Sequence, residues 1–185
     1  MVKMGIITGF LGQTKDRFHL YNEPRSVEQK FALMAKIRGY DGVEIVYPYE
    51  VSDAAFAQGL LKKHRLKVAA VNVNVKAEPE FLNGGLTSTK TAGRETAIRF
   101  IREAKDFAAA IGADKVTCCP LGDGFEFAFQ CDYRKMWTHL ADAFGECGAY
   151  REEIPLFIEY KPSETRGKCF IDSAAKTLCL LHDVG

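Results

Sequence analysis

Charged side chains follow directly after an apolar run near the end of the sequence. The run Leu156-Phe-Ile158 is typical of a buried strand, and Pro162 prevents a regular element from continuing. The eight positions after the run hold the charged residues Glu159, Lys161, Glu164 and Arg166. In a parallel α/β protein the carboxyl ends of the strands form the active face. A carboxylate beside an ammonium group there suits a site that binds a metal ion and polarises a substrate oxygen.

The spacing of Glu159 and Lys161 predicts that both side chains point to the same side, because strand side chains repeat with a period of two. Glu159 would be the last strand residue and would face the mouth of the fold as a hard oxygen ligand. The alternative is a solvated loop whose surface ion pair contributes about 0 to 1 kcal/mol. We favour the functional interpretation, because few solvated charge clusters directly end a core strand.

The segment from Glu159 to Gly167, Glu-Tyr-Lys-Pro-Ser-Glu-Thr-Arg-Gly, resembles the strand-five motif Glu-Pro-Lys-Pro-Asn-Glu-Pro-Arg-Gly of xylose isomerase. Looser forms occur across the sugar isomerase and epimerase TIM barrels of the xylose-isomerase-like superfamily. The resemblance implies that Glu159 is a ligand of a divalent metal ion (Mn, Mg, Co or Zn). It also implies that Lys161 assists at the substrate's oxygens, with supporting substrate-binding roles for Glu164 and Arg166.

The activity implied by this resemblance is isomerisation or epimerisation of a small sugar or sugar phosphate, by a hydride shift or through an enediolate. Tyr47, Pro48 and Tyr49 stand where xylose isomerase has a His and Asp pair after strand two, which favours the ketose isomerase and epimerase relatives. The family's other metal ligands come from strands six to eight. Asp183 follows Glu159 too closely to begin the strand-six motif, because a βαβ unit needs about 30 residues.

Strand and helix patterns alternate about five times along the chain. We predict strands at 4–10, 42–48, 67–75, 115–120 and 156–159, and helices at 26–39, 54–64, 97–111, 132–147 and 172–182. The pattern predicts an α/β fold of the (β/α)8 TIM-barrel type, in which residues 1–185 form a single partial domain that supplies about the first five βα units. The glycine-containing loop at 76–91 is long for a βα connection, and we expect it to cover the mouth as a lid.

Other polar residues interrupt the predicted inner strands. Glu44 alternates with apolar neighbours and should face into the barrel, where we favour a partnered core carboxylate over a catalytic one. Asn72 and Asn74 share one face of strand three. If that face points inward, Asn74 lies near the mouth and can bind a substrate hydroxyl; if it points outward, both side chains are solvated.

Composition limits the partners of this protein. Twenty-five basic and 24 acidic residues give a net charge of +1, so we expect no nucleic-acid partner and no anionic membrane surface. No apolar run approaches the roughly 20 residues that span a bilayer, and we expect a cytoplasmic protein whose partner is a small sugar. The 6 cysteines show no Cys-x-x-Cys spacing, so we predict reduced thiols. Adjacent Cys118 and Cys119 should face opposite sides of their strand.

Two alternative functions have different sequence requirements. Metal-dependent apurinic-site endonucleases of the same superfamily need several histidine ligands and a basic groove, whereas this chain has 4 scattered histidines and almost no net charge. A catalytically incomplete barrel would have an open sheet edge that must be paired or covered. We therefore also predict that the chain forms a homo-oligomer.

Overall fold

A computed structural model describes residues 2–16, 18–163 and 166–185 of the chain. Its main strands are β1 (Gly5–Ile7), β2 (Gly42–Tyr47), β3 (Val68–Val73), β4 (Val116–Cys118) and β5 (Leu156–Ile158). Its α-helices are α1 (Val27–Met34), α2 (Ala54–His64), α3 (Thr91–Ile111), α4 (Tyr133–Ala149) and α5 (Ala174–Val184). Short 3-10 helices cover Thr8–Leu11 and Pro79–Asn83.

The strands form one five-stranded parallel sheet in the order β1-β2-β3-β4-β5, so each strand pairs with its neighbours in the chain. A helix lies between each consecutive pair, which is the repeated βαβ arrangement of a TIM barrel. The predicted α/β fold and its alternation are therefore confirmed. Two small antiparallel ribbons, Thr14–Lys15 with Leu20–Tyr21 and Gly124–Phe125 with Lys168–Cys169, lie outside this sheet.

The two faces of the sheet differ in burial. The face that packs with the helices carries Val43, Ile45, Val71, Val116 and Cys118, each 0% exposed. The opposite face, which we call the inner face, carries the half-buried residues Glu44, Val46, Asn72 and Thr117 in register across β2, β3 and β4. Phe157 of β5 continues this row and is 51% exposed. The strand period of two therefore separates a fully buried apolar face from an inner face that also carries the polar residues Glu44, Asn72 and Thr117.

Some helix boundaries differ from the sequence prediction. Helix α1 begins with the predicted capping box of Ser26 and Gln29 but ends at Met34, before the predicted Gly39. The Tyr40 hydroxyl donates a hydrogen bond to the Met34 carbonyl oxygen at 2.8 Å and so satisfies a carbonyl at this helix end. Helix α3 ends at the predicted Gly112, whose φ of +79° is the left-handed conformation that glycine tolerates.

The 6 cysteines are all unpaired, in agreement with the predicted reduced thiols. Cys118 is completely buried against the helices, whereas Cys119 lies half-buried on the other side of the chain. Their predicted opposite orientation is thus confirmed. Within the described ranges, none of the helices has the length and apolar composition needed to cross a membrane.

Candidate active site

A cavity of about 250 Å³ opens at the carboxyl ends of the main strands. We call it the mouth pocket, and it is lined by Ile7, Gly9, Phe10, Thr14, Val46, Asn72, Val73, Asn74, Lys76, Cys119, Leu121, Glu159 and Lys161. These residues come from β1, β2 and β3 and from the segments after β1, β3, β4 and β5. The volume lies just below the range of pockets that hold drug-sized ligands, so the pocket suits a small molecule.

Glu159 and Lys161 both line the mouth pocket, as their spacing predicted. The Glu159 backbone N–H donates to the Cys118 carbonyl at 2.9 Å, which extends the β4–β5 pairing by one residue. The Lys161 N–H donates to the Ile171 carbonyl at 2.9 Å. Glu159 is exposed and Lys161 is half-buried. The backbone bonds hold the two side chains at the strand end, with a carboxylate and an ammonium group facing one cavity.

Asn72 and Asn74 also lie on the inner side, so the inward alternative left open by the sequence is the correct one. Asn74 lines the mouth pocket, and its Oδ1 accepts a hydrogen bond from the Lys76 backbone N–H at 3.0 Å. The Asn74 N–H donates to the Tyr47 carbonyl at 2.8 Å. These bonds fix the chain as it leaves β3, so that Asn74 lies at the mouth, as predicted for the inward alternative.

Glu44 is a partnered carboxylate deeper on the inner face. Its Oε1 accepts a hydrogen bond from Asn72 Nδ2 at 3.1 Å and a short one from the Thr117 hydroxyl. Asn72 Nδ2 also donates to Thr117 Oγ1 at 2.9 Å. Glu44 does not line the mouth pocket, but it shares a second, more open cavity with Glu159. Its hydrogen bonds make it a partnered carboxylate, as predicted, and the preference for a core role over a catalytic one remains a prediction.

The structure does not bring Arg166 into the mouth pocket. Its Nε donates to the Gly122 carbonyl at 3.1 Å, and its Nη2 donates to the Leu82 carbonyl. Arg166 thus ties together the segments that follow β3, β4 and β5. Glu164 lies outside the described residues. The supporting substrate-binding roles of both residues remain predictions.

The loop predicted as a lid is packed into the protein. Leu86, Thr87 and Ser88 are 0%, 1% and 2% exposed. The Thr87 N–H and hydroxyl donate to Asp123 Oδ1 at 2.7 and 2.6 Å. Asp123 is completely buried, and this burial raises its pKa against the opposing effect of the hydrogen bonds from Thr87. The expectation of a lid over the mouth was wrong, because Asp123 holds this segment against the loop after β4.

Lys76 and Cys119 line the mouth pocket beside the predicted residues. The sequence left open which of Cys118 and Cys119 faces the mouth, whereas Lys76 was not predicted. Lys76 continues the period of Asn72 and Asn74, so the same alternation could have identified it. Although Lys76 is exposed as a residue, burial of its amine lowers its pKa, Cys119 and Glu159 raise it, and the charge of Lys161 lowers it further. Burial, and next the carboxylate of Glu159, raises the pKa of Cys119 to about 11, so this thiol is protonated at neutral pH and unsuited to act as a nucleophile.

A complete metal site is not found in the part of the chain that the structure describes. No group of three His, Cys, Asp or Glu side chains there could hold a metal ion. Among the described residues that line the mouth pocket, Glu159 is the only carboxylate. Hard divalent cations take about six oxygen ligands, of which one carboxylate and the nearby amides supply only some. The described residues therefore fit one ligand of a divalent ion and not the whole set.

A family model described as xylose isomerase-like TIM barrel matches residues 31–185. The chain belongs to this family. The family assignment agrees with the five parallel strands and with the motif at Glu159 and Lys161.

Among curated proteins, this chain is similar to the xylose isomerase of Thermus thermophilus, with 30% identity over 121 residues. The similarity covers 63% of this chain and 31% of that isomerase. The xylose isomerase of Thermus caldophilus is 31% identical over 121 residues, again 63% of this chain and 31% of that protein. The chain thus matches about a third of the length of each of these relatives.

Solved structures of sugar epimerases share the fold of this family member. The D-allulose 3-epimerase of Methylomonas sp. in complex with D-allulose has a TM-score of 0.71 at 17% identity, covering 99% of this chain and 59% of that one. An L-ribulose 3-epimerase has a TM-score of 0.71 at 17% identity, covering 100% of this chain and 58% of that one. At such low identity the agreement concerns the fold, and the chain spans less than two thirds of each epimerase.

Proposed function

We propose that this protein is an isomerase or epimerase of a small sugar or sugar phosphate, and that the sugar binds in the mouth pocket. The observation that supports this most strongly is the convergence of Glu159 and Lys161 on one cavity at the carboxyl ends of the strands. In TIM-barrel enzymes this end of the barrel carries the catalytic residues. Membership of the xylose isomerase-like family supports the same class of substrate.

The side chains of the pocket can divide the work of such a reaction. The Asn74 amide lines the same pocket as Lys161 and can bind a sugar hydroxyl. Lys161 can donate a hydrogen bond to the carbonyl oxygen and stabilise the negative charge that develops there. Glu159 can accept the proton from the carbon next to the carbonyl and return it. If the proton is returned to the former carbonyl carbon, the reaction is an isomerisation. If a proton is added to the opposite face of the carbon that lost it, the reaction is an epimerisation, which requires a second acid.

For a divalent metal ion, we propose one ligand in this chain, the carboxylate of Glu159. When bound, such an ion would polarise the oxygens of the sugar. Glu159 would supply one carboxylate ligand, as the family resemblance implies, and the remaining ligands are not among the described residues. The resemblance also implies a hydride shift as the alternative to proton transfer.

The test is an assay of sugar interconversion. The protein is incubated with pentoses and hexoses, as aldoses and ketoses and with or without Mn²⁺, and products are followed by NMR. We expect turnover in the wild type and a loss of at least about a hundredfold in Glu159→Gln, since general acid–base groups contribute about 10²- to 10⁴-fold. Glu95→Gln, an exposed carboxylate of α3, is the matched control and should retain activity. Absence of any interconversion, or full activity in Glu159→Gln, would contradict the proposal.

Self-association remains a separate prediction. β1 and β5 are the edges of the described sheet, and Phe157 on β5 is 51% exposed. An open parallel sheet edge with an exposed aromatic side chain is usually covered by another element or chain. Sedimentation of the wild type should show a dimer or larger species. A monomer at all tested concentrations would be evidence against homo-oligomers.

A further inference from the structure

We propose that Asn72 binds a hydroxyl group of the sugar through its side-chain oxygen, and that it thereby determines which way the sugar lies in the mouth pocket. This inference rests on the proposed function and assigns a specificity residue to the same site. Asn72 is half-buried on β3 and lines the pocket together with Asn74. The hydrogen bonds around the two amides leave each of them only one kind of group to offer a ligand.

The orientation of the Asn72 amide is set by Glu44. A carboxylate oxygen accepts hydrogen bonds and donates none, so the amide must turn its nitrogen towards it. Asn72 Nδ2 donates to Glu44 Oε1 at 3.1 Å. With the amide reversed, two acceptor oxygens would face each other, which is unfavourable. The positions of the amide nitrogen and oxygen therefore follow from the chemistry of the partner.

Thr117 uses the second hydrogen of the Asn72 amide. The Thr117 hydroxyl has a single hydrogen, which it donates to Glu44 Oε1. The hydroxyl oxygen can then only accept, and Asn72 Nδ2 donates to it at 2.9 Å. Both hydrogens of the Asn72 amide are thus committed inside the protein. Only the side-chain oxygen of Asn72 is left for a ligand.

This oxygen, Asn72 Oδ1, faces the mouth pocket. Asn72 lines the pocket, whereas Glu44 and Thr117 line the second cavity on the inner face. The amide nitrogen points towards Glu44 and Thr117, so the oxygen on the other side of the amide is the atom that the pocket exposes. Among the described residues, the only hydrogen bonds of the Asn72 side chain are the two that its nitrogen donates. A sugar O–H group would supply the bond that the oxygen lacks.

Asn74 offers a ligand the opposite polarity. Its Oδ1 accepts a hydrogen bond from the Lys76 N–H at 3.0 Å, so its Nδ2 hydrogens remain for a ligand. A donor suits the carbonyl oxygen of a sugar, which can only accept. Asn72 disfavours that oxygen, because two acceptors repel each other, and binds a hydroxyl instead. The two amides would therefore hold the sugar in one direction, with its carbonyl at Asn74 and a hydroxyl at Asn72.

The register of the sheet relates this direction to the proposed chemistry. β3, β4 and β5 are paired in register up to their last residues. The residues that follow on β3 and β5, Asn74 and Glu159, therefore lie at the same level of the sheet, and Asn72 lies two residues below them. A carbonyl held at Asn74 is thus level with the carboxylate that would take the proton. Asn72 would act by keeping the reactive end of the sugar at this level.

The first experiment is an NMR titration of the full chain, labelled with ¹³C and ¹⁵N, with D-xylulose and D-fructose. We expect the sugar to shift the side-chain carbonyl carbon resonance of Asn72, because its oxygen gains a hydrogen bond. The amide hydrogens of Asn72 are already bonded and should shift less than those of Asn74. A purely structural role would leave the carbonyl carbon of Asn72 unchanged, and that result would overturn the inference.

Analogues of the ketose test the polarity directly. Each hydroxyl of D-fructose is replaced in turn by hydrogen or by fluorine, neither of which can donate a hydrogen bond. At the hydroxyl bound by Asn72, both replacements should weaken binding about tenfold, because the carbonyl oxygen of Asn72 is left unpaired. Fluorine there should bind no better than hydrogen, because it faces an acceptor. Fluorine that replaces every hydroxyl without loss of affinity would contradict the inference.

Variants assign the penalty to Asn72. In Asn72→Leu, the rejected analogue and the parent ketose should bind within about threefold of each other. Thr117→Val releases one amide hydrogen without changing the lining of the pocket and should weaken the rejection of fluorine, whereas Thr117→Ser keeps the hydroxyl and should retain it. Asn83→Leu and Thr138→Val, at exposed positions, are the matched controls and should behave as the wild type. A penalty unchanged in Asn72→Leu would overturn the inference.

These titrations measure binding without turnover, and so they separate the inference from the proposed function. Interconversion of sugars whose affinity does not depend on Asn72 would overturn the inference and leave the function standing. An Asn72-dependent rejection of the analogues without any interconversion would support the inference and contradict the function. Absence of binding by both ketoses would overturn the inference, whatever the interconversion assay shows.

Discussion

The ion pair of Lys30 and Glu50 allows a stability prediction that also concerns the mouth pocket. Lys30 lies on α1, Glu50 follows β2, and their side chains are 11% and 13% exposed. The Thr8 hydroxyl donates to the other carboxylate oxygen of Glu50 and accepts a hydrogen bond from the Val46 N–H at 3.2 Å. This network holds the segment after β1, which includes Gly9 and supplies one wall of the pocket.

Replacement of Lys30 by Met keeps the length of the side chain and removes its charge. Glu50 is then left buried with the Thr8 hydroxyl as its described partner, and removal of one member of a buried pair costs about 3 to 5 kcal/mol. For a chain of this size each kcal/mol changes the melting temperature by about 2 to 4 °C. We therefore expect Lys30→Met to melt about 6 to 20 °C below the wild type.

The assay is urea unfolding followed by circular dichroism, with calorimetry for the melting temperatures. The double variant Lys30→Met with Glu50→Gln leaves no buried charge and should recover at least half of the lost free energy of unfolding. Lys62→Met, on the exposed face of α2, is the matched control and should change stability by less than about 0.5 kcal/mol. The reasoning is refuted if Lys30→Met lies within about 1 kcal/mol of the wild type, or if the two substitutions are simply additive.

Three further predictions concern other buried groups and the metal. Lys105 is 0% exposed and donates to the Cys147 and Gly148 carbonyls at 2.7 and 3.2 Å. Lys105→Met should therefore lower the free energy of unfolding in urea by at least about 2 kcal/mol, and an unchanged midpoint would contradict this. Burial raises the pKa of Asp123, so the contribution of this group to stability is complete below its ordinary pKa of 3.8 and is lost as the pH rises. Unfolding curves should therefore show Asp123→Asn gaining on the wild type as the pH rises above 3.8; a constant difference would refute this. Glu159→Gln should weaken Mn²⁺ binding at least about tenfold in a calorimetric titration, whereas Glu95→Gln should not; equal affinities would exclude Glu159 as a ligand.

The sequence predicted most of the architecture because strand and helix periodicities are local properties. The apolar run before Glu159, and the alternation through Asn72 and Asn74, determined which side chains share a face. The choice between the inward and outward faces of β3 could not be made from one strand. It depends on the register with β2 and β4, which brings Glu44, Asn72 and Thr117 together.

The site was predicted less completely, because several of its features depend on contacts between distant segments. Length and glycines suggested a lid over the mouth at residues 76–91, but residues 86–88 are packed because Asp123, 36 residues after Thr87, binds this segment. Arg166 matches the family motif, yet its described hydrogen bonds go to loop carbonyls. Lys76 was missed because the loop assignment began at its position, where the period of β3 in fact continues.

The location of the sugar site is tested most directly by NMR titration of the ¹⁵N-labelled protein. D-xylulose and D-xylulose 5-phosphate are added, and changes of the backbone amide resonances are mapped. If the sugar binds in the mouth pocket, the largest changes should fall on residues that line it, namely Asn72, Val73, Asn74, Lys76, Cys119, Leu121, Glu159 and Lys161. Changes confined to the aromatic groove formed by Phe125, Tyr133 and Phe170, or no changes with either sugar, would contradict the assignment of the mouth pocket as the active site.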